Sequence, residues 1–311
     1  TTKPWPEDID QWSHFLYDSS NNAVSRDKKA GPPRYLQWKG SPYWSRSHEH
    51  LSSVSAVVTA GGRIFDIIDR GPAATVTMPS EWRLEARDAF NGVMLWSKPV
   101  GPWEYRLRGF RTGPPQLGRR LVATANTVFA TLGYGEPVSA LDAATGELVQ
   151  EYPETEGAAE MVYNDGLLYV VTEDPEEQLK ALQAIQRGTE YSSSGSSLVA
   201  LHAGSGEVAW HMDDEEAGYI MPTTLAVAEG KACFQNAQSV VCLEADTGRK
   251  LWEADRPISR SRLSWTAPTL VIKNGVILSA DRDARAVTGN LPAEQNAVQW
   301  IEESRGGRAP E

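Results

Sequence analysis

Cysteine is nearly absent from this chain of 311 residues: there are two, and no C-x-x-C or similar metal-binding spacing occurs. No run of about 18 apolar residues is present, so no stretch is fit to span a membrane as a helix. Basic charge is also in short supply. Lys and Arg number 30 against 41 Asp and Glu, leaving a formal charge of −11. That balance weighs against sequence-independent binding to nucleic acid, which relies on a basic surface. No G-x-S-x-G elbow for a nucleophilic serine appears. The chain opens TTKPWPEDID, with neither an initiator Met nor an apolar secretory segment. Either a leader has been removed or this is a piece of something longer.

What the sequence does have is turns, large aromatics and a repeat. Eleven Trp, 26 Gly and 19 Pro accompany 41% hydrophobic residues, a composition for a β-rich fold with a real core. The stretch ALDAATGELVQEY (140–152) has counterparts in ARDAFNGVMLWSK from Ala86, ALHAGSGEVAWHM from Ala200 and CLEADTGRKLWEA from Cys242. The turn glycines are Gly92, Gly146, Gly206 and Gly248, at intervals of 54, 60 and 42 residues. Periods near 40 to 50 suit a four-stranded propeller blade, with insertions stretching some copies.

Each copy follows an apolar hairpin with its own tight turn, and a fifth hairpin, TLVIKNGVILSA (269–280), has no glycine partner. Each unit therefore reads as strands A to D from the inside out. The fold class is all-β, a propeller with four complete blades and the start of a fifth. In the motif, Asp88 and Asp142 accept backbone N–H bonds across the turn, and the glycine takes positive φ. Trp96, Trp210 and Trp252 stand four residues after the glycine, where each can pack between blades. The second copy has Gln150 at the tryptophan position and the third has His202 at the Asp position, so these two blades should be less firmly pinned.

The two cysteines flank FQNAQSVV, which reads as a hairpin. If its loop is centred between Ala237 and Gln238, Cys233 and Cys242 face each other at a non-hydrogen-bonded pair. A cross-strand disulfide and two thiols packed side by side both fit there.

The pattern A-x-D-x-x-T-G-x-x-x-W resembles the repeat of pyrroloquinoline-quinone (PQQ) type β-propellers, over residues 52 to 280 or so. That family includes quinoprotein alcohol dehydrogenases and an outer-membrane assembly lipoprotein whose propeller binds no quinone. The segment WSHFLYDSSNNAVS (12–25) is similar to the lead-in such proteins carry before their first blade. The resemblance implies a periplasmic or cell-envelope location and a ring of seven or eight blades. Residues 1–51 then form a lead-in, with RYLQWKG (34–40) as a lone strand D closing the last blade, and 52–311 form blades whose remainder follows Glu311.

The resemblance also sets what a dehydrogenase would need: a stacking Trp, an adjacent Cys-Cys ring, a catalytic Asp and calcium-binding carboxylates. There is no Cys-Cys, and no carboxylate cluster with calcium-loop spacing stands out. We therefore expect a non-catalytic binding scaffold without cofactor, the alternative being a quinoprotein dehydrogenase fragment with PQQ and calcium. The partner would be a protein or an anionic small molecule. A–B and C–D turns are short, whereas the long loops, all B–C or D–A, emerge on one face, and function tends to sit on such loops. Arg106, Arg108 and Arg111 in one loop, Arg260, Arg262 and Trp265 in another, and Arg46 and His48 before the first blade make that face the candidate anion site. In the His48-Glu49-His50 triplet adjacent side chains diverge on an extended segment, so no metal site is expected.

Overall fold

The computed structural model describes residues 6, 8–29, 31–32, 34–41, 53–74, 78–101, 115–177, 180, 195–258 and 268–280. Apolar residues along short segments, punctuated by glycine and Asx turns, become strands, of which the middle ones of each blade bury both faces while the outer ones are largely exposed. The first blade comprises β1 (Val54–Ala60), β2 (Arg63–Asp69), β3 (Trp82–Asp88) and β4 (Met94–Pro99). The second comprises β5 (Leu121–Ala123), β6 (Thr127–Thr131), β7 (Val138–Asp142) and β8 (Leu148–Tyr152). The third runs through β9 (Ala158–Asn164), β10 (Leu167–Thr172), β11 (Ser197–His202) and β12 (Val208–Met212). The fourth runs through β13 (Ala226–Ala228), β14 (Lys231–Gln235), β15 (Ser239–Glu244) and β16 (Lys250–Asp255). A hairpin, β17 (Thr269–Lys273) and β18 (Val276–Ala280), begins a fifth.

Within each blade the strands pair antiparallel in chain order. The inner strands β1, β5, β9, β13 and β17 neighbour one another in succession, which is the arrangement of propeller blades around an axis. Four apolar clusters fill the junctions. Phe65, Leu84 and Leu141 lie between blades one and two, and Phe129, Met161 and Val199 between two and three. Tyr169, Phe234 and Leu243 lie between three and four, and Cys233, Leu270 and Ile272 between four and the hairpin.

The C–D turn repeats in detail. Gly92, Gly146, Gly206 and Gly248 have φ between 71 and 77°, and each N–H donates to the carbonyl four residues earlier. A register shift follows at Ala86/Arg87, Ala140/Leu141, Ala200/Leu201 and Cys242/Leu243, a glycine bulge that returns strand D alongside C. Asp88 Oδ1 accepts from Phe90 and Asn91, and Asp142 Oδ1 from Ala144 and Thr145, as the motif predicts.

Two of these glycines are also seats for a ring from the preceding blade. A Cβ on Gly146 would stand 2.6 Å from the Trp96 ring, and one on Gly248 2.6 Å from Trp210. The two indoles donate Nε1–H to Ala143 O (3.1 Å) and Ala245 O (2.8 Å). Trp38 docks on Gly92 in the same manner and donates to Ala89 O at 3.0 Å. Residues 34–41 thus take the place of an outer strand ahead of the first blade, although they form no strand. At Gly206 the tryptophan is replaced by Gln150, but Tyr152 O–H donates to Ala203 O at 2.5 Å. A phenol O–H thus stands in for the missing indole N–H as donor to that carbonyl. Trp252 stands apart, 38% exposed on a strand exposed along its whole length, with no following turn glycine among the described residues.

Cys233 and Cys242 face each other across β14 and β15, as the hairpin count requires. Both are buried thiols, and the hydrogen bond with Cys242, together with burial, pushes the Cys233 thiol up.

Candidate functional site

The anion site expected on the long-loop face, Arg46, His48, Arg106, Arg108, Arg111, Arg260, Arg262 and Trp265, lies outside the described residues. Of the long loops themselves, the helix expected at Pro175 begins there, with Asp174 Oδ1 accepting from Glu176 and Glu177 N–H. What the described residues define is the centre of the ring, at the end opposite those loops.

A tight A–B turn forces the problem solved there. Closing pairs such as Ala60 with Arg63 exchange hydrogen bonds, so the preceding residue, at a non-hydrogen-bonded pair, points its N–H away from strand B. On an innermost strand that direction is the channel. The residues concerned are Thr59, Ala123, Tyr163, Val227 and Ile272, each two residues before its A–B turn. A buried N–H without an acceptor is costly.

The lead-in supplies an acceptor to each. Thr59 N donates to Trp12 O (2.7 Å), Ala123 N to Ser13 O (3.0 Å), Val227 N to Ser19 O (2.8 Å) and Ile272 N to Ser20 O (3.0 Å). Tyr163 N donates to His14 Nε2 at 3.1 Å. Gln11 Oε1 further accepts from Gly61 N, and Ser19 Oγ donates to Asn164 Oδ1. One strap therefore crosses four blades and the fifth hairpin in order.

Asn21, with φ 61° and 2% exposed, turns its amide inward. Its Nδ2 donates to Leu225 O and Leu270 O, both at 2.9 Å, and these carbonyls stand two residues before Val227 and Ile272. Its Oδ1 accepts from Arg119 Nη1 at 2.9 Å. Arg119 comes from the 3-10 segment Pro115–Arg120 and also donates through Nη2 to Thr223 O at 2.8 Å. Glu160 Oε1 lies 3.1 Å from Arg119 Nη1, and its Oε2 accepts from Thr223 N at 2.7 Å. Burial raises the Glu160 carboxyl and lowers the Arg119 guanidinium, each opposed by the other's charge. His14 is held neutral, down to about 3, by burial and by Arg119. Because its Nε2 accepts, the ring proton sits on Nδ1, 2.8 Å from Ser13 Oγ.

A second polar cluster covers the face of the first blade that points away from the second. Arg70 Nε donates to Glu85 Oε1 at 2.8 Å, and Arg87 Nη2 donates to Glu85 Oε2 at 3.2 Å and Ser41 O at 2.7 Å. Asp66 lies beside them, pushed up to about 6 by burial and then by the charge of Glu85.

The lead-in is legible in the sequence as a segment, but nothing there singles out His14, Asn21, Arg119, Glu160 and Asp66 as a set. Their contacts span up to 249 residues, with no local spacing to mark them. The one local signal is Asp66 itself, polar between Phe65 and Ile67 in an apolar strand. Both cysteines lie in an inter-blade core, and Trp38, Trp96 and Trp210 dock at junctions. Among the described residues no group of three or more His, Cys, Asp or Glu is placed to hold a metal ion. No described helix is long and apolar enough to cross a membrane.

A family model described as outer membrane protein assembly factor BamB matches residues 80–310. No curated protein matches. Among solved structures, quinohemoprotein alcohol dehydrogenase from Comamonas testosteroni is similar at 13% identity and a TM-score of 0.48, over 86% of this chain and 45% of that one. A europium-containing methanol dehydrogenase matches at 11% identity and 0.45, over 87% and 54% respectively. BamB from Moraxella catarrhalis matches at 16% and 0.32, over 74% and 80%. The chain thus spans about half the length of the two dehydrogenases it matches.

Proposed function

As this chain belongs to the PQQ-repeat propeller family described as outer membrane protein assembly factor BamB, we propose that it is a non-catalytic scaffold of the cell envelope, binding a protein or anionic partner on its long-loop face. The observation that carries the reading is the strap: residues 11–21 close the turn end of the channel, which leaves the opposite end for a partner. A rigid ring presenting variable loops needs no reacting groups to do this. Arg106, Arg108 and Arg111 would supply the charge for an acidic partner.

The test uses an immobilised acidic peptide and the triple substitution of those arginines with Ala. Retention should fall at least about tenfold, the loss of roughly one charge-assisted hydrogen bond, while the thermal transition stays in place. Unfolding of the variant would instead make the arginines structural braces. A stoichiometric quinone spectrum with dye-linked alcohol oxidation, on adding PQQ and calcium, would replace the scaffold with a dehydrogenase.

A further inference from the structure

We propose that the turn end of the channel is a binding site for a peptide carrying a side-chain amide, and that this chain occupies the site with its own residues 11–21, which turn back at His14–Tyr17. The site exists before the strap arrives. Five inner strands, built to one hairpin geometry, each aim one N–H into the channel from the equivalent position. Two of them aim a carbonyl there as well, from Leu225 and Leu270. These are main-chain groups, and four of the five N–H groups meet main-chain carbonyls of the strap, so they recognise a peptide largely by its backbone.

Selectivity comes from two side chains of the occupant. Asn21 donates to both carbonyls with one amide group and accepts from Arg119 Nη1, a match that a shorter or apolar residue cannot make. His14 must offer an unprotonated Nε2 to Tyr163 N–H. Beyond Asn21 the anchoring thins out: residues 23–26 are exposed, and Gly31 has nothing within 4 Å of where a side chain would begin. The occupant is thus joined to the blades through a segment with little packing of its own, which is how a tethered ligand is built.

The test inserts a protease site after Gly31 in the full chain and cleaves it. The N-terminal piece should remain bound on gel filtration and exchange with a labelled synthetic peptide of residues 8–29. The same peptide with Asn21→Ala should bind about tenfold or more weakly, since the Leu270 carbonyl loses its amide donor and the Leu225 carbonyl and Arg119 each lose one of their partners. A scrambled peptide should not bind. Departure of the piece from folded blades that then take up no peptide would overturn the proposal, as would equal binding of all three peptides. Should cleavage unfold the protein, amide exchange on the uncut Asn21→Ala chain decides. Selective loss of protection at Val227 and Ile272 supports a site with its own occupancy, whereas uniform loss across all strands overturns it.

Discussion

Blades two, three and four turn small or apolar side chains toward the blade before them. The sets are Ala130, Ser139 and Leu141, then Val170, Val199 and Leu201, then Phe234, Val241 and Leu243, all buried. In the first blade the same three places, counted from the A–B turn and the C–D glycine, hold Asp66, Glu85 and Arg87, also buried. Apolar faces stack with no demand on direction and draw their strength from area removed from water. An ionic face loses its hydration when covered and repays that loss only where its neighbours supply matching donors and acceptors. The first blade meets this through Arg70, Ser97 and the Ser41 carbonyl, with Trp38 seated in the Gly92 turn. Three junctions are therefore adhesive, and the leading face of blade one is selective.

The largest effect should come from breaking an adhesive junction. Phe234→Ala empties a fully buried site in the cluster between blades three and four and should lower the unfolding free energy by about 3–5 kcal/mol. Denaturant midpoints at unchanged m would report it. A loss below about 1 kcal/mol would mean that the junctions are not where this fold keeps its stability.

On the selective face the effect is smaller and depends on pH. Asp66 has its folded pKa raised from 3.8 to about 6. Its protonated form thus contributes stability that is fully present below pH 4 and is lost as pH rises through 6. Asp66→Asn cannot ionise. It should match the parent near pH 4 and exceed it by on the order of 2 kcal/mol above pH 7. Thermal melts across that range would measure the divergence. Parallel curves at every pH would show that Arg70 and Arg87 already neutralise the carboxylate.

The repeat is readable because its determinants are local. A glycine at positive φ and a tight hairpin act within one turn, helped in the first two copies by an Asp four residues before the glycine, so four copies of the motif place four C–D turns correctly. The segment 34–40 reads as an outer strand outside the blades, but it forms no strand, and the seating of Trp38 on Gly92 is visible only in the structure. The strap is not readable either, because His14 and Asn21 matter through partners 149 to 249 residues away. Periodicity says which face of a strand is buried, but not which inner N–H lacks an acceptor. Trp252 is the converse case. Its motif promises a docked ring, yet a docked ring also needs the next blade's turn.

Tyr152 marks the finest distinction among the adhesive junctions. Where the other two adhesive junctions and the Trp38 seat use an indole N–H, this one reaches the equivalent carbonyl, Ala203 O, with a phenol from two residues further along strand β8. Tyr152→Phe keeps the ring, which is 2% exposed beside Phe129, and removes only the donor. The cost should be about 1 kcal/mol, that of one buried hydrogen bond. Gln150 occupies the seat on Gly206 that Trp96 and Trp210 fill elsewhere. Combining Gln150→Trp with Tyr152→Phe should therefore restore most of the loss by bringing an indole N–H to Ala203. In the parent, where Tyr152 already donates, Gln150→Trp alone has no acceptor left to claim and should add little. The two effects should then be non-additive by roughly the value of that single bond, as expected for groups that compete for one partner. Additivity would show that the phenol and the indole serve different carbonyls, and the equivalence of the junctions would fail at this blade.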